Sequence, residues 1–317
     1  MKKVTEKENK KNVNNENKGP VLLDFIIELR KYFILIGILF VVIVFLSTSF
    51  FEVAEKQKRG LMSVTFLNVG QGDSTLVQTP SNTIVIIDTG PSNNVMKEIS
   101  DYLHFFNRRI DLVISTHQHT DHIEGMLILL DKYNISYHSS NFRENLSRTA
   151  QNVLRKLNEN KVNQIMVQAG DRIIVDENFG IYLDVLWPTE KIPITDDNEA
   201  SVSVILVYGD IGFIITGDAG VKTESYLVDE FGDKLDINVL KLGHHGSRTS
   251  TSLKFLEATK PEYAIISASE NNRYGHPHQS VLDNLLKYKN KKLEDWVFET
   301  KNGSIKFWTN GEQIWLD

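Results

Sequence analysis

The chain has 317 residues, a formal net charge of -6 and no cysteine. This length accommodates one large domain or two ordinary ones, and an ordinary apolar fraction permits a packed core. The mildly acidic balance argues against nucleic-acid binding through bulk charge, although it is compatible with a local basic patch. The lack of cysteine excludes disulfides, Cys-ligated zinc and a thiol nucleophile.

The N-terminal residues 1–31 are predicted to form a basic, disordered segment, because residues 1–18 are nearly all Lys, Glu and Asn and cannot bury apolar surface. An apolar run follows, and residues 32–51 are predicted to be a transmembrane anchor. The run from Phe33 to Phe51 is about 19 residues long, enough for a helix to cross a bilayer. The alternative, a buried helix of a soluble domain, is disfavoured because the run has no polar face.

Positive charge predicts the orientation of this span. Lys and Arg accumulate before it, at Lys2, Lys3, Lys7, Lys10, Lys11, Lys18, Arg30 and Lys31. Only Lys56, Lys58 and Arg59 follow it closely. Since Lys and Arg stay on the cytoplasmic side, we expect a single-pass protein of the cell membrane with its N-terminus inside and its bulk outside. A cleaved signal peptide is the alternative, but the basic region is long for one and Ser47-x-Ser49 is a poor cleavage site.

Residues 62–317 show no linker-like break and are predicted to form one domain. Strands are predicted from apolar runs at 63–69, 83–88, 110–116, Ser201–Tyr208, Ile211–Thr216, Ile237–Leu242 and Tyr263–Ser267, and three short strands close the chain. Helices are predicted at Asn94–Phe105, Asp121–Tyr133, Glu144–Leu157, Val221–Phe231, Ser252–Ala258 and Val281–Tyr288. This alternation in two similar halves predicts an α/β or α+β domain, with two sheets packed face to face and helices outside.

The sequence THQHTDH at residues 116–122 directly follows a predicted buried strand and concentrates four candidate metal ligands. His117 and His119 alternate, so on an extended loop both rings can point the same way. Asp121 and His122 lie at a predicted helix start and are placed to serve a second ion. Imidazole and carboxylate ligands suit zinc, manganese or iron. The alternative, a polar loop whose histidines only cap the helix, fits one histidine better than three at this spacing.

An HxHxDH motif after a strand resembles the signature of the metallo-β-lactamase superfamily. Five further segments narrow the resemblance to the extracellular hydrolase-like domain of the ComEC competence proteins: FLNVGQGDS (66–74), IIDTG (86–90), TGDA (216–219), KLGHHGSRTS (241–250) and NRYGHPH (272–278). The resemblance covers residues 62–317. It implies an αββα sandwich with a dinuclear metal site at one edge of the two sheets, here preceded by a single transmembrane helix.

The resemblance implies six metal ligands, which are His117, His119, Asp121, His122, Asp218 and His244. The first two would hold one divalent ion, zinc or manganese, and the next two would hold the second. Asp218 would bridge both ions, although an ordinary turn aspartate after Gly217 is its alternative. His244 would complete the second site, with His245 and His276 as competing candidates for that position.

The other candidate residues surround these ligands. Asp88 is expected to orient the histidine loop, since a ligating imidazole needs an acceptor for its second N–H. Asp73 is expected to lie near the site, or to be a simple turn residue. Candidate catalytic residues are Asp121, His245 and His276, with a protonated His245 or His276 assisting the leaving oxygen. Candidate donors to an anionic substrate are Ser247, Arg248, Asn272 and Tyr274. His104 and His138 stand alone and are expected to be structural or exposed.

The chain departs from the resemblance at one ligand. Many superfamily members carry another histidine between the HxHxDH motif and the later aspartate, but here only His138 falls in that interval, close behind the motif. The expected position lies near Asn198, Glu199 and Ser201. The sequence therefore leaves open whether both metal sites fill, since the first site lacks its usual third histidine.

The resemblance implies hydrolysis of a phosphodiester by a metal-activated water, with DNA as a candidate substrate and the lipid bilayer as the other partner. A single span differs from the multi-helix channel of ComEC, so this chain is not expected to form a DNA-uptake pore itself. Two alternatives remain: a hydrolase of cell-wall or lipid-linked phosphodiesters, and a non-catalytic surface binding module. The intact HxHxDH motif disfavours the binding module.

Overall fold

The computed structural model describes residues 19–103, 107–141, 147–192, 194, 196–289 and 291–317. The chain divides into two compact units, Met1–Glu52 and Val53–Asp317. Helix α1 (Gly19–Arg59) contains the apolar stretch Phe25–Thr48, which is 24 residues long and has a mean hydropathy of 2.5. By length and composition this stretch is sufficient to cross a membrane.

The helix begins earlier than the sequence predicts. Residues 19–31 were expected to be disordered, but they are helical, because Phe25, Ile26, Ile27 and Leu29 extend the apolar run towards the N-terminus. The apolar stretch accordingly starts before the predicted anchor at residues 32–51. The prediction of disorder for residues 1–18 lies outside the described residues.

The second unit is built from two sheets and their flanking helices. Its helices are α2 (Asn94–Tyr102), α3 (Thr120–Ile123), α4 (Met126–Lys132), α5 (Arg148–Glu159), α6 (Val221–Phe231), α7 (Leu253–Thr259) and α8 (Gln279–Tyr288). The strands of the first half are β1 (Met62–Phe66), β2 (Thr75–Gln78), β3 (Ile84–Ile87), β4 (Arg109–Ile114), β5 (Asn134–Ser140), β6 (Asn163–Met166), β7 (Arg172–Asp176) and β8 (Ile181–Trp187). Those of the second half are β9 (Ser203–Tyr208), β10 (Ile211–Ile215), β11 (Val239–Lys241), β12 (Tyr263–Ile266), β13 (Val297–Glu299), β14 (Ile305–Thr309) and β15 (Ile314–Leu316).

The two sheets pack face to face and form an αββα sandwich. One sheet has the strand order β15-β14-β1-β2-β3-β4-β5-β6 and the other β13-β12-β11-β10-β9-β8-β7. Apolar side chains of both inner faces meet between them, and the ring centroids of Phe66 and Phe213 each lie 6.3 Å from that of Phe307. A second apolar cluster packs α2, α4 and α5 on the first sheet, and a third packs α6, α7 and α8 on the other. The predicted fold class is confirmed.

The strand and helix predictions differ from the structure mainly in the middle of the chain. Helix α6 has the predicted bounds, whereas the predicted helix Asp121–Tyr133 is divided into α3 and α4 around Gly125. A Cβ on Gly125 would lie 2.1 Å from the Thr89 carbonyl oxygen, so this close approach requires glycine. Strands β2 and β5 to β8 were not predicted. The ends of two predicted helices, at 104–105 and 144–146, lie outside the described residues.

Strand direction brings the candidate site together. Strands β3 and β4 run parallel, as do β10, β11 and β12, so their carboxyl ends lie at one edge of the sandwich. Asp88 follows β3, His117 follows β4 and Asp218 follows β10. Gly217 has a φ of +57°, and a Cβ there would lie 2.7 Å from Thr116 Oγ1. Glycine therefore lets the end of β10 approach the histidine loop.

Candidate metal centre

Asp88 anchors the histidine loop. Its side chain is buried and accepts hydrogen bonds from the backbone N–H and the hydroxyl of Thr116, both at 2.7 Å. It also accepts one from His122 Nδ1 at 2.8 Å. Because Nδ1 is engaged by Asp88, Nε2 is the nitrogen of His122 that faces the site and would bind a metal ion. This is the geometry that a metal-ligating histidine and its orienting carboxylate adopt.

Candidate ligand atoms among the described residues form four overlapping groups, two of which include Asp73, and the other two adjoin each other. Nitrogen and oxygen atoms of His117, His119 and Asp218 lie within 4.8 Å of one another, and so do those of Asp121, His122 and His245. The Asp218 carboxylate lies between the groups. Its Oδ1 is 3.2 Å from His122 Nε2 and its Oδ2 is 3.9 Å from His117 Nε2. One carboxylate oxygen thus faces each group, as a bridging ligand requires.

The polar atoms turned into the site suit divalent metal. Among the described residues, Nε2 of His117, His122 and His245 and Oδ1 of Asp218 are buried without a hydrogen-bond partner. Such atoms cost free energy unless something else binds them. Burial raises the pKa of Asp218, but the imidazoles of His245 and His122 outweigh it and hold that pKa well below its usual value. The donor set of imidazoles and ionised carboxylates fits zinc, manganese or iron.

His245, and not His244, joins Asp121 and His122. The turn after β11 places both histidines at positive φ, 48° for His244 and 56° for His245, a conformation that residues other than glycine rarely adopt. His245 is buried and donates from Nδ1 to the Ser267 carbonyl at 3.0 Å. Its Nε2 lies 3.4 Å from Asp121 Oδ2 and 3.5 Å from Asp218 Oδ1. The expectation that His244 completes the second site is therefore not supported by the geometry.

A buried ion pair lies behind His245. Lys241, at the end of β11, is 1% exposed, and its ammonium donates to Asp73 Oδ2. The other oxygen of Asp73 is 3.2 Å from His245 Nδ1. Burial raises the pKa of Asp73, but Lys241 and His245 outweigh it and lower the value to about 2. Asp73 is thus part of the site and not a simple turn residue. Lys241 was missed by the sequence analysis, since its side chain sits in an apolar strand and only the fold shows its partner.

Two residues near the position of the missing third histidine, Ser201 and Glu199, make other contacts. Ser201 Oγ lies 3.3 Å from His117 Nδ1, on the opposite side of the ring from Nε2, and accepts from the Asp218 backbone N–H at 3.0 Å. Glu199 accepts from the Thr223 hydroxyl at 2.7 Å. Neither residue replaces the missing ligand.

The lone histidines have other surroundings. His138 is 3% exposed on β5, lies 3.0 Å from Ser115 Oγ, and is part of the packed sheet. His104 lies outside the described residues. Burial and the neighbouring imidazoles of His245 and His244 lower the pKa of His276 to about 4. At neutral pH His276 is therefore neutral, and the expectation that a protonated His276 assists the leaving oxygen is not supported.

The expected substrate donors divide into two kinds. Arg248 and Tyr274 are exposed at the rim, and the ring of Tyr274 is stacked on His276 with centroids 5.6 Å apart. The side-chain amide of Asn272 instead makes hydrogen bonds within its own loop. It donates to the carbonyls of Ser269 and His276 and accepts from the His276 backbone N–H. Ser247 is buried and accepts from the Thr249 hydroxyl. Asn272 and Ser247 therefore make hydrogen bonds within the protein.

The site and the sandwich agree with a comparison of the sequence with known families. The sequence model of the Metallo-beta-lactamase superfamily matches residues 67–270, which include both ligand groups. The chain belongs to the metallo-beta-lactamase superfamily. Within this superfamily it is similar to competence proteins. ComE operon protein 3 of Bacillus subtilis (strain 168) is 30% identical over 261 residues, covering 77% of this chain and 32% of the relative. Competence protein ComA of Neisseria gonorrhoeae is 32% identical over 223 residues, covering 69% of this chain and 29% of the relative.

The resemblance to competence proteins is thus confirmed, while the chain spans about a third or less of the length of these relatives. Solved structures share the metallo-beta-lactamase fold. The fold protein YhfI from Bacillus subtilis matches with a TM-score of 0.50 at 13% identity, covering 81% of this chain and 100% of YhfI. CmlA, a diiron beta-hydroxylase from Streptomyces venezuelae, also matches with a TM-score of 0.50 at 13% identity, covering 75% of this chain and 52% of CmlA. At this identity the likeness is one of fold alone.

Proposed function

We propose that the unit from Met62 onward is a metal-dependent phosphodiesterase that acts on nucleic acid at the outer face of the cell membrane. The observation that carries the proposal is the pair of ligand groups sharing one carboxylate, Asp218. Paired sites of this kind serve in-line displacement at phosphorus, where both the attacking and the leaving oxygen carry charge.

The residues of the chain have separable tasks. Asp218, His117 and His119 would hold one divalent ion, and Asp121, His122 and His245 would hold the other. Ions bound there would supply Lewis acidity, lowering the pKa of a water and neutralising charge on the attacked group. Asp88 keeps His122 oriented through the hydrogen bond at 2.8 Å, and the Ser267 carbonyl does the same for His245, whose Nδ1 also lies 3.2 Å from Asp73 Oδ1.

The rim supports an anionic substrate. Arg248 and Arg273 are exposed on the segments that carry His245 and His276, and the hydrogen bond to Tyr274, followed by the more distant Asp121, raises the pKa of Arg273. The Tyr274 ring is 49% exposed and holds the Arg273 guanidinium 4.9 Å from its centroid, which places a cation at the rim for an anionic substrate. The names of the similar proteins, ComE operon protein 3 and Competence protein ComA, point to competence and agree with a DNA substrate.

The test is a substrate screen of the full chain in detergent. Single- and double-stranded DNA, RNA, a chromogenic phosphodiester and a β-lactam are each offered with Mn²⁺ or Zn²⁺. We expect cleavage of phosphodiesters that a chelator abolishes and added metal restores. Turnover of the β-lactam alone would contradict the proposal. Metal binding without turnover of any phosphodiester would favour a binding module instead.

The membrane part of the proposal rests on the stretch Phe25–Thr48 and on the basic residues that precede it. Protease added to intact cells should digest the domain after residue 60 and leave the N-terminus protected. Protection of the domain with an accessible N-terminus would show the opposite orientation.

A further inference from the structure

His244 belongs to neither of the two ligand groups described above, but its ring still faces the Asp218 carboxylate. Its Nε2 lies 3.6 Å from Asp218 Oδ2, the carboxylate oxygen that also faces His117. The other oxygen, Oδ1, faces His122 and His245. The Oδ2 atom of Asp218 therefore has the imidazoles of His117 and His244 near it, and Oδ1 has those of His122 and His245.

The distance fits two ligands of one ion. Two donors bound to the same tetrahedral zinc at its usual bond lengths lie about 3.4 Å apart. The separation of 3.6 Å between His244 Nε2 and Asp218 Oδ2 is close to that value. A hydrogen bond between the same two atoms would be shorter.

The hydrogen bond between His244 Nδ1 and Thr249 determines which ring nitrogen of His244 carries the proton. Its Nδ1 lies 3.1 Å from Thr249 Oγ1, and the Thr249 hydroxyl donates its own proton to Ser247 Oγ. Thr249 can then only accept from the imidazole, so Nδ1 carries the proton and Nε2 keeps a free lone pair. His244 thus has the same arrangement as His122, with Nδ1 engaged by an acceptor behind the ring and Nε2 facing the site.

The backbone adds an independent observation. Two consecutive histidines in left-handed conformation are strained, and such strain persists where the surrounding structure holds it for a purpose. This conformation turns the rings of His244 and His245 towards the two oxygens of Asp218. In an extended strand, two consecutive side chains would point to opposite faces.

We propose that His244 supplies the missing third nitrogen to the ion held by His117 and His119. The inference rests on the proposed metal centre and assigns its ligands differently from the usual pattern: the donor comes from the turn after β11 and not from the segment before β9. Neither Ser201 nor Glu199 takes this position, because both side chains are bonded elsewhere.

The test is calorimetric titration of the metal-free full chain in detergent with Zn²⁺. We expect two binding steps in the wild type, and His117→Asn identifies the first-site step by removing it. His244→Asn should weaken the same step about tenfold or more and leave the other unchanged. Asparagine is chosen because it tolerates the left-handed backbone.

A double variant distinguishes the two sites. His117→Asn combined with His244→Asn should keep the remaining step of His117→Asn, because both residues act on one ion. Loss of both steps in the double variant would place His244 at the second ion and overturn the inference. So would a His244→Asn variant that keeps both wild-type steps. A wild type that binds no zinc would overturn the metal centre itself.

Two further variants complete the experiment. Asp197 Oδ2 lies 3.9 Å from His119 Nε2 and is the rival donor. A first-site step weakened by Asp197→Asn but intact in His244→Asn would assign the position to Asp197. Thr249→Ala keeps the imidazole and removes its acceptor, so it should weaken the first-site step by a smaller factor. This variant remains informative if His244→Asn does not fold, and an unchanged step would count against the inference.

Discussion

Replacing Lys241 with methionine should destabilise the domain, because it leaves a buried carboxylate with one partner fewer. Lys241 and Asp73 are 1% and 3% exposed, so water cannot compensate for the lost ammonium. Removing one member of a buried pair typically costs about 3–5 kcal/mol. Since His245 Nδ1 still lies 3.2 Å from Asp73, we expect a loss of unfolding free energy at the lower end of this range, about 3 kcal/mol.

The assay is thermal unfolding of the metal-free chain. For a domain of this size, about 3 kcal/mol corresponds to a fall in Tm of roughly 6–12 °C. Lys254→Met is the matched control, since Lys254 pairs at 2.7 Å with Asp229 on the surface, where both side chains are more than half exposed. It should cost under about 1 kcal/mol.

The double variant Lys241→Met with Asp73→Asn removes both charges and should recover much of the loss. Recovery is expected because two neutral groups leave no uncompensated charge in the interior. If Lys241→Met melts like Lys254→Met, or if the double variant loses the sum of the two single effects, the account of a buried ion pair is wrong.

Two other predictions concern Asp88 and His138. Asp88→Asn should weaken metal binding about 10- to 100-fold in a zinc titration, because an amide nitrogen in place of Oδ2 can accept from neither Thr116 nor His122; an unchanged affinity would remove Asp88 from the site. Burial lowers the pKa of His138 to about 4, so between pH 6.5 and 4 the unfolded chain binds a proton that the folded chain does not. This histidine should therefore cost about 3 kcal/mol of stability as the pH falls through that window. His138→Gln should flatten the pH dependence of the unfolding free energy there, and parallel curves for variant and wild type would contradict this.

The sequence predicts the fold where one pattern dominates. The apolar runs that became β3 and β10 are continuous because both faces of these strands are covered, and the pattern reveals them directly. Strands β5 and β6 escaped prediction because their residues are mixed: β5 reads NISYHSS, and every residue of β6 is exposed. Such segments, whether inside the sheet like β5 or at its edge like β6, become strands through pairing with neighbours, which composition does not reveal.

The site was predictable as far as local spacing reaches. HxHxDH and the TGDA segment place His117, His122 and Asp218 close together because each directly follows a buried strand. The choice between His244 and His245 was beyond the sequence, since it depends on two left-handed residues in one turn. The loop role of Asn272 depends likewise on tertiary hydrogen bonds that residue type does not determine.

The central claim is that the Asp218 carboxylate is shared by two metal sites. It is tested most directly by measuring bound metal per chain and phosphodiesterase rate for Asp218→Asn, with a thermal melt to show that the variant is folded. The amide has nearly the same volume, so packing should survive. It has no charge to share between two cations, so the rate should fall by orders of magnitude and bound metal should fall with it. Asp229→Asn, an exposed aspartate on α6, should keep both at wild-type values. A folded Asp218→Asn variant that keeps about half or more of the wild-type rate would contradict the claim.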